Sequence, residues 1–78
     1  MRTIDARGHR CPTPTLKLGR ALREAAPGDE IELLATDPMA RIDVPHFLAQ
    51  TGHELISTEE RDGVLAFRVT RSASAPTG

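Results

Sequence analysis

The chain has 78 residues, a formal net charge of −1, 38% apolar residues, 27% charged residues and one cysteine. This length allows one small domain, and a near-neutral chain with two phenylalanines as its aromatic residues argues against a nucleic-acid surface or an anionic-membrane surface. A lone cysteine forms no intrachain disulfide, the N-terminus lacks a signal-peptide pattern, and no apolar run reaches about 20 residues. We therefore expect a cytoplasmic protein that binds neither membrane nor nucleic acid.

The first half of the chain predicts a strand, a helix and a second strand. Residues 2–6 are short and weakly apolar, and we interpret them as a strand because a glycine and a helical pattern follow. Residues 12–26 are the best helix, and Pro27-Gly28 ends it. Residues 30–35 alternate between apolar and polar side chains, which is typical of a strand. The helical stripe consists of Leu18, Ala21, Leu22 and Ala25.

The segment 38–51 has a helical apolar pattern that Pro45 interrupts. An interior proline lacks the N–H that a helix needs and clashes with the preceding turn. Two solutions remain open: Asp43 caps a helix that runs to Thr51 after a turn, or a longer helix begins near Met39 and kinks at Pro45. We favour the first because interior proline is costly.

Two further strands are predicted over 53–59 and 64–70, joined by a hairpin turn at Asp62-Gly63. The order β-α-β-α-β-β predicts a two-layer α/β sandwich, with a four-stranded mixed sheet and two helices on one face. We expect one domain over 1–71 and a disordered tail over 72–78. The uncovered sheet face, suited to solvent or a partner, would carry polar side chains such as Glu30, Glu32, Ser57, Arg68 and Thr70.

The candidate reactive group is the thiol of Cys11, which precedes Pro12 and Pro14. Proline is tolerated in the first turn of a helix, so this motif predicts a helix start with Cys11 at or next to the N-cap. The positive end of the helix and nearby cations favour the thiolate, which is the nucleophilic form. Gly8, Pro12 and Pro14 are expected to shape this helix start.

A single exposed thiol limits the chemistry. Dithiol exchange within one chain needs a second cysteine, and a protease-like nucleophile needs a positioned base, for which His9, His46 and His53 are weak candidates. No metal-ligand pair and no phosphate loop occur, so we expect no metal and no cofactor. The function that these exclusions leave is a thiol that carries sulfur between proteins. The alternative is a redox-responsive regulatory or interaction module that uses Cys11 as a sensor.

Three other residues are candidates for docking a partner. Arg10 and Lys17 could attract an acidic partner, although a solvated helix face is the default. Asp37 is first explained by a turn that leads into the second helix. We expect a monomer with transient protein partners.

The motifs of this chain resemble those of the TusA/SirA-like sulfur-carrier family over about residues 3–71. The resemblance implies the same sandwich fold and a sulfurtransferase role in which Cys11 carries sulfur as a persulfide. It also implies a donor of the cysteine desulfurase or rhodanese type, and acceptors in tRNA thiolation, molybdenum-cofactor synthesis or sulfur oxidation. Thr36 stands where the family often has an acid. The matching segments are Asp5-x-x-Gly8-x-x-Cys11-Pro12-x-Pro14, Pro27-Gly28, Asp37-Pro38, Asp43-Val44-Pro45 and His53-Glu54-Leu55.

Overall fold

The structure is a computed structural model that describes residues 2–10 and 13–72. Its elements follow the predicted order β-α-β-α-β-β. None of the helices in these two ranges is long and apolar enough to cross a bilayer. The elements are β1 (Arg2–Ala6), α1 (Thr13–Glu24), β2 (Glu30–Ala35), α2 (Ala40–Thr51), β3 (Glu54–Arg61) and β4 (Val64–Thr70).

The four strands form one mixed sheet in the order β1-β2-β4-β3. β1 pairs in parallel with β2, and β4 pairs antiparallel with both β2 and β3. Parallel strands end at the same edge of a sheet, so the connections that follow β1 and β2 both leave from there. We call this the carboxyl edge, where β1 ends at Ala6 and β2 ends at Ala35.

Both helices cover the same face of the sheet, which confirms the predicted two-layer sandwich. Alternate residues of β2 and β4 point to this face and are buried, as the period of two requires. The helices approach each other closely, because a Cβ atom added at Gly19 of α1 would lie 3.0 Å from the ring of Phe47 of α2. The buried apolar side chains are those of Ala6, Leu18, Ala21, Leu22, Ile31, Leu33, Ala35, Ala40, Val44, Leu48, Leu65, Phe67 and Val69.

The hairpin between β3 and β4 turns at Asp62-Gly63, as predicted. Asp62 has φ 53° and Gly63 has φ 80°, and two central residues with positive φ match the twist of the flanking strands. Because this turn needs only two residues, β3 continues to Arg61 instead of ending at residue 59. The pairing register shifts between Leu55 and Ser57, which marks a bulge in this edge strand.

The favoured prediction for α2 was wrong, since the helix begins at Ala40 and runs through Pro45. Its start is built upstream of the proline: the Ala40, Arg41 and Ile42 N–H groups donate to carbonyls three residues earlier, at 3.0, 3.1 and 3.0 Å. Asp43 is therefore not the N-cap but lies in the first turn, where a carboxylate suits the positive helix end. Buried side chains at Ala40, Val44 and Leu48 pack this helix onto the core and offset the cost of Pro45, about 3 kcal/mol in a helix interior.

α1 ends at Glu24 rather than at residue 26, and the guanidinium of Arg71 lies against its last carbonyls. The Nη1 atom donates to Leu22 O at 2.6 Å, to Ala25 O at 2.8 Å and to Arg23 O at 3.2 Å. A cation is stabilising at this negative end of a helix. The buried Nε atom has no partner among the described residues, so the stabilisation comes through Nη1.

Replacing Arg71 with alanine leaves these carbonyls without their charged donor. We expect Arg71→Ala to lower the free energy of unfolding by about 2 kcal/mol, measured by urea denaturation. Arg68→Ala is the matched control, because Arg68 is exposed and its Nε atom lies 3.8 Å from Glu30. The control should change stability by less than about 0.5 kcal/mol. Equal losses in the two variants would contradict the capping role.

His53 contacts Ser72, the last described residue, which follows Arg71 directly. Its Nδ1 atom accepts a hydrogen bond from the Ser72 N–H at 3.2 Å, which requires the unprotonated atom. Burial, followed by the positive charge of Arg71, lowers the pKa of His53 below its ordinary 6.5. The folded protein therefore takes up a proton here less readily than the unfolded chain.

This lowered pKa makes stability depend on pH. Above pH 6.5 both states keep His53 neutral, whereas below 6.5 the unfolded chain binds the proton first, so stability falls until the folded-state pKa is reached. We expect His53→Gln to remove this part of the pH dependence in thermal unfolding, while His46→Gln, which alters an exposed histidine of α2, keeps it. An identical pH profile for wild type and His53→Gln would contradict the assignment.

Candidate functional site

The loop that leaves β1 begins with an ion pair between Asp5 and Arg7. The Arg7 Nε and Nη2 atoms donate to the two carboxylate oxygens at 2.9 and 2.8 Å, and the Arg7 backbone N–H donates to Oδ1 at 3.1 Å. These bonds from Arg7 lower the pKa of Asp5 to about 2. Asp5 therefore stays ionised at a lower pH than an ordinary aspartate and keeps its contacts with Arg7 there.

Gly8 then turns the chain toward β2. Its φ of 82° lies in the left-handed region that favours glycine. Its N–H donates to Thr36 Oγ1 at 2.8 Å, which joins this loop to the residue that follows β2. The His9 N–H donates back to Ala6 O at 3.2 Å. The sequence pattern predicted that Gly8 shapes the helix start, but it did not identify Thr36 as the hydrogen-bond partner of Gly8.

α1 begins at Thr13, whose N–H donates to Arg10 O at 2.9 Å. Pro14 is buried in the first turn, so its ring contributes to the core as well as to the helix start. The first turn holds no acidic residue, which leaves the positive helix end uncompensated by a carboxylate of its own helix. Cys11 and Pro12, the centre of the predicted motif, lie outside the described residues.

A surface depression of about 430 Å³ separates this loop from the start of α2. On the far side, Asp37 organises the turn: its Oδ1 accepts the Met39 N–H at 3.0 Å and its carbonyl accepts the Ala40 N–H at 3.0 Å. These two contacts of Asp37 form the turn into the second helix that the sequence predicted. The depression is lined by Gly8, His9, Arg10, Thr36, Asp37 and Pro38.

The structure brings some of the predicted site residues together and separates others. Arg10 and Asp37 share this depression. Lys17 is exposed on α1 and lines a different depression. His9 lies in the loop, whereas His46 and His53 lie elsewhere. Among residues 2–10 and 13–72, no three His, Asp or Glu side chains cluster as a metal site would require.

Comparisons with known proteins agree with this fold. The model of the family described as Sulfurtransferase TusA matches residues 2–71. The Sulfur carrier protein TusA of Pseudomonas entomophila (strain L48) is 38% identical over 71 residues, which are 91% of this chain and 89% of that protein. Its counterpart in Pseudomonas paraeruginosa (strain DSM 24068 / PA7) is 37% identical over 70 residues, 90% of this chain and 89% of that protein.

A solved structure shares the architecture as well. The crystal structure of the SirA-like protein from Desulfitobacterium hafniense superposes with a TM-score of 0.82 at 27% identity, covering 92% of this chain and 99% of that one. The chain belongs to the TusA family of sulfur carrier proteins.

The contact from Gly8 to Thr36 can be tested directly. Thr36→Val removes the acceptor oxygen while keeping the branched shape, whereas Thr36→Ser keeps the oxygen. We expect Thr36→Val to speed hydrogen exchange of the Gly8 amide about fivefold, the factor that corresponds to one hydrogen bond of about 1 kcal/mol. Thr36→Ser should stay close to wild type. Unchanged exchange in Thr36→Val would mean that the bond does not hold the loop.

Proposed function

We propose that Cys11 accepts sulfane sulfur as a persulfide from a donor protein and passes it to an acceptor protein. The observation that carries this proposal is that Cys11, the one cysteine of the chain, lies within the residues that the sulfur-carrier family matches. The loop that contains it is held on its upstream side by the bond from Gly8 to Thr36 at 2.8 Å. A carrier needs an accessible nucleophilic sulfur and surfaces for its two partners.

The transfer exchanges one S–S bond for another. The Cys11 thiolate attacks the terminal sulfur of a donor persulfide, the donor S–S bond breaks, and the donor leaves as a thiolate. The products are the Cys11 persulfide and the reduced donor, so no external oxidant is needed. An acceptor thiolate then attacks the terminal sulfur of Cys11 in the same way, which regenerates the Cys11 thiolate.

The described residues that flank Cys11 in the sequence support an anionic sulfur. Thr13 begins α1 two positions after Cys11 in the sequence, and the first turn of this helix carries no acid. Exposed Arg10 precedes Cys11 directly, whereas the charge of Arg7 is engaged by Asp5. A helix N-terminus and a nearby cation both lower the pKa of a thiol. Pro12 and Pro14 are proposed to fix this helix start.

The partners of this relay follow from its chemistry. The donor must present a persulfide, as cysteine desulfurases and rhodanese-type proteins do, and the acceptor must present a thiolate. The family resemblance suggests acceptors of tRNA thiolation, molybdenum-cofactor synthesis or sulfur oxidation. We propose that the chain works as a monomer in the reducing cytoplasm, with Arg10 and Asp37 at the depression, and Lys17 further along α1, contacting these partners.

Removing the sulfur atom should abolish loading. We expect wild type to gain the mass of one sulfur atom after incubation with sodium polysulfide or with a cysteine desulfurase and cysteine, and Cys11→Ser to gain none. Wild type alkylated with iodoacetamide beforehand is the second control, since its fold is intact and its thiol is blocked. Unchanged circular dichroism of Cys11→Ser separates lost chemistry from lost structure. No mass gain on wild type with either donor would refute the proposal.

The same measurement separates the carrier from the alternative of a redox-responsive module. A sensor thiol forms a sulfenic acid with hydrogen peroxide and needs no sulfur donor. A carrier forms a persulfide that a second thiol protein removes, which restores the original mass. Sulfenic acid formed with hydrogen peroxide in a chain that takes up no sulfur from either donor would favour the sensor.

A further inference from the structure

The sheet face opposite the helices carries an apolar patch at the carboxyl edge. The side chains of Leu34, Val64 and Ala66 are half-buried there although no element of the described chain covers them. Leu34 lies opposite Ala66 in the antiparallel pairing of β2 and β4. Paired residues place their side chains on the same face, so these apolar groups form one patch, which we call the open-face patch.

The lining of the depression at the open-face patch holds more acidic than basic side chains. Glu59 lies opposite Ala66 on β3, and Glu32 precedes the patch on β2. Asp62 stands at the hairpin turn, and Arg61 is the one cation in the lining of this depression of about 360 Å³. None of Glu32, Glu59 and Asp62 forms an ion pair within the described ranges. Three carboxylates against one guanidinium give the rim a net negative charge.

The position of the patch connects it with the sulfur-carrying loop. Leu34 lies opposite Asp5 in the parallel pairing of β1 and β2, and β1 ends one residue later, at Ala6, before the loop toward Cys11. A protein seated on the open-face patch would therefore lie at the same edge of the sheet as this loop. The patch and the depression beside Gly8 are lined by different residues, so each can make its own contact.

From this arrangement we infer that the open-face patch binds a protein segment that places an apolar side chain between lysine or arginine residues. Charge complementarity selects this occupant. A second copy of the chain would bring its own carboxylates against these, and nucleic acid would bring phosphates. The residues after Ser72 contain no cation, and β4 runs away from the patch toward Ser72. That the segment belongs to a sulfur donor or acceptor rests on the proposed function, whereas binding itself does not.

A peptide titration tests the inference on the full chain under reducing conditions. The probes are three capped hexapeptides, Lys-Lys-Leu-Ile-Lys-Lys, its acidic twin Glu-Glu-Leu-Ile-Glu-Glu, and the polar basic peptide Lys-Lys-Ser-Ser-Lys-Lys. Two-dimensional NMR of the ¹⁵N-labelled protein reports which amides shift. We expect the first peptide alone to shift the amides of Leu34, Glu59 and Ala66, with weaker binding at higher salt.

Two charge-reversal variants complete the test. Glu59 and Glu54 both lie on the open face of β3, but Glu54 pairs with Thr70 at the opposite end of the strand. We expect Glu59→Lys to weaken binding of the first peptide about threefold or more, and Glu54→Lys to leave it within error. Equal binding of the polar basic or acidic peptide, shifts confined to other surfaces, or equal effects of the two variants would overturn the inference.

A separate measurement distinguishes this inference from the proposed function. Sodium polysulfide delivers sulfur without a docked protein, so Glu59→Lys should take up sulfur on Cys11 as wild type does. Failure of loading in both proteins counts against the carrier role, and failure of peptide binding with intact loading counts against the docking surface.

Discussion

The parallel pairing of β1 with β2 determines where the loop after β1 and the turn after β2 lie. Because both strands end at the carboxyl edge, the loop after Ala6 and the turn after Ala35 leave the sheet side by side. The Gly8 N–H and the Thr36 hydroxyl can then meet at 2.8 Å, and both helices start at this edge. An antiparallel arrangement of the same two strands would send these connections to opposite edges and separate the loop from its support.

The two ends of α1 differ in how their charges are compensated. At the carbonyl end, the guanidinium of Arg71 satisfies Leu22, Arg23 and Ala25. At the amide end, the first turn contains no acid. The positive potential of the helix start is therefore available to whatever lies next to it, while the negative end is neutralised within the fold.

The sequence predicted the elements whose signals are local. Alternation at Leu65, Phe67 and Val69 follows directly from strand geometry, and Asp62-Gly63 specifies its turn through positive φ. The start of α2 was missed because burial of Ala40 and Val44 outweighs the cost of Pro45, and that burial exists only in the folded chain. The contacts of Thr36 and Arg71 join residues 28 and 49 positions apart, so no short pattern contains them. The placement of Cys11 stays a prediction from its motif.

The course of β4 has a practical consequence for work on this protein. β4 runs from the hairpin to Thr70, which pairs with Glu54 at the start of β3. The last described residue, Ser72, contacts His53 just before that strand, at the edge opposite the carboxyl edge. That edge is remote from the connection between β1 and α1. A linker to a resin or to a fused domain attached after Ser72 would therefore leave the chain at the edge opposite the contact between Gly8 and Thr36 and the depression beside it.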